Sequence, residues 1–372
     1  MEKAQLTLSS AKGLFQSYYK QLTVGDIVVS SLSKREFAFS YFDEGGMHRH
    51  ISFEETGKLL NHLRASSPKH VYYSTAYYLY PSAKDMDAKG WEGADLVFDI
   101  DVDHIETDCK SAHDQWRCKT CNTSGWGNVK ACPHCGGEAI EKRTWVCETC
   151  INVARDEVFK LVEMLEMDFG LSLHELFITF SGHRGFHIHV ESPAVRVLNQ
   201  DARRELIDYV KGLGIDIRVM LVKNKGGFKL RYGANSSGWY ARISRWALFM
   251  LGAEDPVLNL RDWEKIFIGS MKKEAVAIDE NVTIDTKRLI RLPNSLHGKT
   301  GLKAAPFTVN ELEKGEFIEK VKVFSKEEIK ISTGGELPKK VLDLEISSTS
   351  RTLPFYVALY LMLNGAPIKI NV

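Results

Sequence analysis

All seven cysteines of this chain fall between Cys109 and Cys150, and six of them form three Cys-x-x-Cys pairs. An odd, tightly clustered set argues against a disulfide framework and for metal binding in a reducing compartment. Cys118-x-x-Cys121 and Cys132-x-x-Cys135 stand ten residues apart, the spacing of a zinc ribbon. Each pair sits on a tight turn, where two thiolates converge on one tetrahedral Zn²⁺. Four thiolates leave no open position for water, so this zinc is expected to be structural. Outside the ribbon remain Cys109, His113, Cys147 and Cys150, which could make a second Cys₃His site whose halves the ribbon separates. One zinc with spare thiols is the alternative, with His104 and His134 as substitute ligands.

Just ahead of this insert runs Asp95-Leu96-Val97-Phe98-Asp99-Ile100-Asp101-Val102-Asp103. Side chains two apart in a strand share a face, so Asp99, Asp101 and Asp103 project together. Like charges at that spacing repel, and a divalent cation between them relieves the repulsion. A solvated strand end is the plainer alternative to a Mg²⁺ or Mn²⁺ site for phosphoryl or nucleotidyl transfer.

The chain has 372 residues, 44% of them hydrophobic and 26% charged, enough for two or three structural units and a full core. The formal net charge is +1, so contact with nucleic acid must come from a local basic patch. The longest apolar run, Leu353 to Leu363, is too short to span a bilayer. The opening Met1-Glu2-Lys3-Ala4-Gln5 has no apolar signal core, so a cytoplasmic protein without a membrane contact is expected.

Periodicity predicts helices at Ser9–Leu22, capped by Ser9 or Ser10, and at Glu54–Leu63, Ile151–Phe169, Gln200–Leu213 and Leu258–Met271. Alternation predicts strands at Lys34–Ser40, Arg49–Phe53, His70–Ser74, Glu175–Phe180, Gly185–Glu191 and Ala275–Ile278. Residues 216–237 are glycine-rich and basic, without a clean assignment. Pro354–Leu363 reads as either a strand or a helix.

Two further stretches carry chemistry. Ser181-Gly182-His183-Arg184-Gly185-Phe186-His187 joins two apolar strands. Glycines let the backbone approach a ligand, and an arginine fork matches phosphate oxygens. Ser181, Arg184 and His187 therefore suggest a triphosphate pocket, with His189 on the same strand face as His187. From Asp279 to His297 acids precede bases. Asp279 or Asp285 could add a third carboxylate, Asp285 being equally well explained as a helix N-cap. Arg288, Arg291, His297 and Lys299 could face phosphates, or form a solvated basic face.

In these motifs the chain resembles the catalytic small subunit of archaeal and eukaryotic DNA primases, over residues 9–310 and more loosely beyond. The resemblance is carried by Phe98-Asp99-Ile100-Asp101, Ser181-Gly182-x-Arg184-Gly185-x-His187 and Asp279-x-Asn281-Val282-Thr283. Arg291-x-Pro293-x-Ser295-Leu296-His297-Gly298-Lys299 and Arg35-Glu36-Phe37 complete the set, with a cysteine-rich element after the first motif. It implies a metal triad of Asp99, Asp101 and Asp279 binding Mg or Mn. It also implies a nucleotide pocket of Arg35, Ser181, Arg184, His187, Arg291 and His297, and a zinc knuckle whose second half is Cys147 and Cys150. A large primase subunit bearing an iron–sulfur cluster, a single-stranded DNA template, and NTPs with dNTPs as further substrates are the implied partners.

The expected fold is α/β (α+β mixed), a mixed sheet carrying the carboxylates and the phosphate turn, flanked by helices. The catalytic core is expected over residues 1–103 and 151–330, with the zinc-binding insert at 104–150. A helical part at 193–272 lies within the core, and the segment 331–372 packs on it. The expected function is primer synthesis by two-metal nucleotidyl transfer. Lys223, Lys225, Lys229 and Arg231, with Phe228 and Tyr232, offer charge and stacking for the template. The alternatives are a repair-type primase-polymerase, an aspartyl-phosphate phosphatase using Asp99 as nucleophile, and a non-catalytic zinc-ribbon protein that binds nucleic acid.

Overall fold

The computed structural model describes residues 5–6, 8–233, 235–253, 255–315, 317–347 and 350–371. Its organising element is the strand Leu96–Asp101. Leu96, Phe98 and Ile100 point into the larger of two hydrophobic cores. Val97 points the other way, into the second core. Asp99 and Asp101 follow Val97 on that second face, as a period of two requires.

The strand pairs antiparallel with Gly185–Val190, which sets Asp101 opposite Gly185 and Asp99 opposite His187. Leu176–Phe180 and then Pro306–Phe307 extend this sheet to four strands. A β-carbon on Gly185 would lie 2.3 Å from the carbonyl oxygen of Ile100, so only glycine lets the two strands approach this closely. The helix Glu148–Met167 covers the apolar face, burying Cys150, Ile151, Ala154, Val158, Leu161 and Leu165 at helical spacing.

A second antiparallel sheet runs in the order Leu289–Arg291, His70–Ser74, Phe37–Ser40, His48–Ile51. Helices Leu8–Gln21 and Thr56–Ser66 pack Phe15, Tyr19, Leu59 and Leu63 against it. Val97 belongs to the same cluster as Tyr73 and Ile290, so the carboxylate strand is shared by both cores. The architecture is α/β with its β-structure divided among several small sheets, and the carboxylates and the phosphate turn lie on one of them.

Several local expectations change. Ser9 and Ser10 lie inside the first helix, which begins at Leu8. Ala275–Ile278 is not a strand, because the amides of Val276, Ala277 and the following Asp279 go to three separate partners. Val276 N donates to Val210 O, Ala277 N to the Glu157 carboxylate and Asp279 N to Asp99 O, the last at 2.8 Å. Asp285 is no helix N-cap: it closes the C-terminal end of the helix Glu280–Ile284, and the chain then turns into the strand Leu289–Arg291. The helix Gly238–Leu251 was not predicted, and residues 216–237 contain the hairpin Leu221–Asn224 and Gly227–Leu230. Phe355–Leu363 is a helix, with Pro354 at its start. Among the described residues no helix is long and apolar enough to cross a membrane.

Candidate active site and metal clusters

The two sheets and the short helix Glu280–Ile284 enclose a pocket of about 220 Å³. Asp99, Asp101, Ser181, His183, His187, Arg288, Arg291 and His297 line it. Asp279 caps the short helix through its carboxylate, which accepts from Asn281 N at 3.0 Å. Its backbone bond to Asp99 fixes it beside the carboxylate strand.

Burial first, and then the charges of Asp101 and Asp279, push the Asp99 carboxyl up to about 7, while Arg288 pulls the other way. Asp101 is raised as well, by burial against the opposing influence of His183 and Arg184. Across the strand pair, His187 Nε2 stands 3.7 Å from Asp99 Oδ1, and burial holds this imidazole neutral. Burial also takes His183 down to about 4 and His70 to about 2. His297 is lowered too, by burial and then by Arg291. The pocket thus combines repelling carboxylates on one wall with neutral imidazoles and guanidinium groups on the other.

Arg291 retains donors for a ligand. Its Nη1 meets His70 Nδ1 at 3.1 Å and its Nη2 the Tyr72 hydroxyl at 3.2 Å, which leaves three N–H groups. Ser181 Oγ accepts from the amides of His183 and Gly185, which ties the phosphate turn together. Gly182, at φ +80°, fits the turn against His297, whose β-carbon would lie 2.7 Å from any added side chain.

Two of the expected nucleotide contacts are placed elsewhere. Arg35 is fully buried and pairs with Asp95 at 2.7 Å. Its other N–H groups donate to Ser30, Ser74 and Thr75, and its guanidinium lies 3.7 Å from the Tyr77 ring centroid. No donor is left to reach a nucleotide, so Arg35 acts as a buried brace. Arg184 is also turned away from the pocket. Its Nη1 donates to both Asp114 oxygens at 3.0 Å and to Trp145 O at 3.2 Å, and its Nη2 meets Asp103.

The cause is strand parity. Arg184 falls in step with Phe186 and Ile188, which face the larger core, whereas His183 falls in step with His187 and faces the pocket. His183 was therefore legible by counting back from His187, although the motif leaves it as a variable position. Tyr72 and His70, which orient Arg291, carried no signal in the sequence beyond strand alternation.

Two groups of side chains could each hold a metal ion. Cys118, Cys121, Cys132 and Cys135 form one, and Cys109, His113, Cys147 and Cys150 the other. Four ligands 2.3 Å from a tetrahedral zinc stand about 3.8 Å apart. The sulfur separations are 3.6 Å for Cys118–Cys135 and Cys121–Cys132, 3.5 Å for Cys109–Cys150 and 3.7 Å for Cys147–Cys150. Both clusters could hold zinc. His104 and His134 belong to neither. Among the described residues, these are the two groups whose ligand atoms close to within 4.8 Å. Asp99, Asp101 and Asp279 do not close to that distance. His113 Nδ1 meets Asp114 Oδ1 at 2.8 Å, the outer carboxylate that fixes a metal-bound imidazole. Asp114 therefore links this cluster to Arg184 and the phosphate turn.

The DNA primase small subunit of Pyrobaculum aerophilum is 36% identical, covering 94% of this chain and 96% of that protein. This chain belongs to the DNA primase small subunit family. The family's sequence model, described as DNA primase small subunit, matches residues 134–309. The Pyrobaculum islandicum member is 34% identical over the same shares of both chains. The Methanosarcina barkeri member is 30% identical over 95% of this chain and 94% of its own. Among solved structures, the polymerase domain of Mycobacterium tuberculosis Ligase D in complex with DNA is 11% identical, with a TM-score of 0.36. It covers 82% of this chain and 83% of that one, and a likeness so distant carries no argument about the fold or the site.

Proposed function

We propose that this chain is a primase catalytic subunit that makes short primers on single-stranded DNA from NTPs, with dNTPs as further substrates. The observation that carries this reading is the meeting, in one pocket, of Asp99 and Asp101 with Ser181, His187, Arg291 and His297. The first two supply oxygen ligands, and the others supply donors for a polyphosphate.

An all-carboxylate donor set suits a hard divalent cation. Asp99, Asp101 and Asp279 would hold Mg²⁺ or Mn²⁺. The metal, when bound, lowers the pKa of the attacking 3′-hydroxyl and neutralises the leaving pyrophosphate. The three free N–H groups of Arg291, with the neutral rings of His183, His187 and His297, bind and orient the triphosphate. The Ser181 hydroxyl keeps the turn in shape by accepting from the amides of His183 and Gly185. Arg184, braced by Asp103 and Asp114, positions that turn from behind.

By family, a large subunit bearing an iron–sulfur cluster is the partner. All seven cysteines of this chain lie in the two metal clusters, so no thiolate remains here for an iron–sulfur centre. The test is primer synthesis on single-stranded DNA with Mg²⁺ or Mn²⁺, with and without that subunit. Asp101→Ala should abolish synthesis while zinc content and fold persist. Full activity in that variant refutes the scheme.

A further inference from the structure

A larger groove, of about 880 Å³, opens beside the pocket and is not accounted for by the chemistry above. One wall is the three-stranded sheet of the cysteine-rich region, Gln115–Cys118, Ser124–Trp126 and Ile140–Arg143. The facing wall is the end of the helix Phe355–Leu363 with Asn364 and Gly365. Lys69 and Lys299 close its inner end. Lys299 lies two residues beyond His297, and its charge helps to hold His183 and His297 neutral. Groove and pocket therefore meet at Lys299.

Five cations line the groove: Lys69, Arg117, Lys142, Arg143 and Lys299. Among the described residues none of the five makes an ion pair; Arg117 and Lys142 donate only to the neutral side chains of Asn122 and Asn128. Two carboxylates, Glu141 and Glu336, oppose them. Trp126 is half-buried in the wall and held by an indole hydrogen bond to Glu336 at 3.1 Å. Behind it the ring of Trp116 lies so close to Gly125 that a β-carbon there would stand 2.8 Å away. Gln115 Oε1, also on this wall, is buried and has no hydrogen-bond partner.

Unneutralised cations along a track and an aromatic ring at its side are the parts of a site for single-stranded nucleic acid. Cations follow the phosphates, and rings stack on bases. The basic hairpin at residues 221–230 is less suited, because Lys229 is paired with Asp255 at 2.9 Å and none of its residues lines the catalytic pocket.

We propose that single-stranded DNA runs along the groove between the ribbon sheet and the helix Phe355–Leu363, and enters the active site past Lys299. The inference rests on the primase reading for the choice of DNA as ligand. Its test uses binding alone, without nucleotide or added divalent cation, so that the two can fail separately.

The measurement is fluorescence anisotropy of labelled oligo-dT with the full, zinc-loaded chain over a series of salt concentrations. Arg117→Glu with Lys142→Glu is expected to weaken binding at least tenfold. It should also flatten the slope of log affinity against log salt by about 1.4, at roughly 0.7 per single-strand phosphate contact. Trp126→Ala should weaken binding roughly five- to a hundred-fold through lost stacking. Lys142→Ala, a milder change at an exposed position, should give a smaller loss of the same kind if the double variant misfolds. Zinc content and melting temperature report on folding. Wild-type affinity in the folded Lys142→Ala and Trp126→Ala variants overturns the proposal. So does loss of binding on Lys223→Glu with Arg231→Glu instead, which moves the strand to the hairpin. Equal displacement by poly-glutamate overturns it as well, because it assigns the groove to an acidic protein. A chain whose groove variants lose DNA binding, but which makes no primer, keeps this inference and loses the reading above it.

Discussion

Burial and the charges of Asp101 and Asp279 keep the Asp99 carboxyl protonated up to about pH 7 in the metal-free protein. In the unfolded chain the same group ionises near the ordinary carboxylate value of about 4. Between those values the folded state binds more protons than the unfolded one, so this site makes stability fall as pH rises from about 4 to 7. Asp99→Asn should therefore stabilise the divalent-free protein at pH 8, by on the order of 2–4 kcal/mol. The gain should shrink toward pH 5. Thermal melts at the two pH values check this, and a gain that does not change with pH would count against it. The same substitution should abolish catalysis. At the same scale, Arg184 and Arg291 separate two roles that the sequence assigned together. Arg184→Ala leaves Asp114 buried without its cation, which typically costs about 3–5 kcal/mol. It should appear as a lower melting temperature and weaker zinc retention. Arg291→Lys keeps the charge but loses the fork, and should raise the KM for nucleotide with little change in melting.

At the scale of elements the two metal clusters differ in what they support. Cys147 and Cys150 are fully buried in the larger core, at the first turn of the helix Glu148–Met167. The ribbon packs only a small cluster of its own around Trp116, Cys118 and Cys132, and Cys135 is exposed. Cys150→Ser should therefore lower the melting temperature of the whole chain, whereas Cys135→Ser should remove one zinc and leave the main transition near its original position. Calorimetry with metal analysis of both variants measures this. The cysteine spacings made both clusters legible from sequence, because ligand geometry is set locally. The carboxylate strand and the phosphate turn were legible for the same reason, since alternation and turn residues act over a few positions. Arg35 was not, because its partner Asp95 is distant in sequence, just ahead of the strand Leu96–Asp101. Ala275–Ile278 has strand composition, yet the amides of Val276 and Ala277 are claimed by residues 210 and 157, and that of Asp279 just beyond by residue 99, which no local pattern records. The division of the β-structure into several small sheets, two of which pack together at Val97, is likewise a long-range fact.

For the molecule as a whole, 49 basic and 48 acidic residues nearly cancel, so a strand of DNA meets local fields and not a basic body. Two cores lie on either side of one strand, and loosening either moves Asp99 and Asp101 against their neighbours. The helix Glu148–Met167 begins where two distant parts of the chain join. Leu342 N donates to Val146 O at 2.6 Å, Glu148 N to Leu342 O at 3.0 Å, and Val146 N to the Tyr360 hydroxyl at 2.9 Å. Cys147 sits between these bonds and belongs to the Cys₃His cluster. The other ligands lie within a short stretch of chain, whereas the bonds to Leu342 and Tyr360 must close a very long loop, which is slow. During refolding, zinc capture and the arrival of the distal segment should therefore separate in time. A thiol reagent should lose access to Cys147 early, before the amide of Leu342 becomes protected from hydrogen exchange. The metal would then be a primer of the fold, holding open the edge on which residues 342–360 later settle.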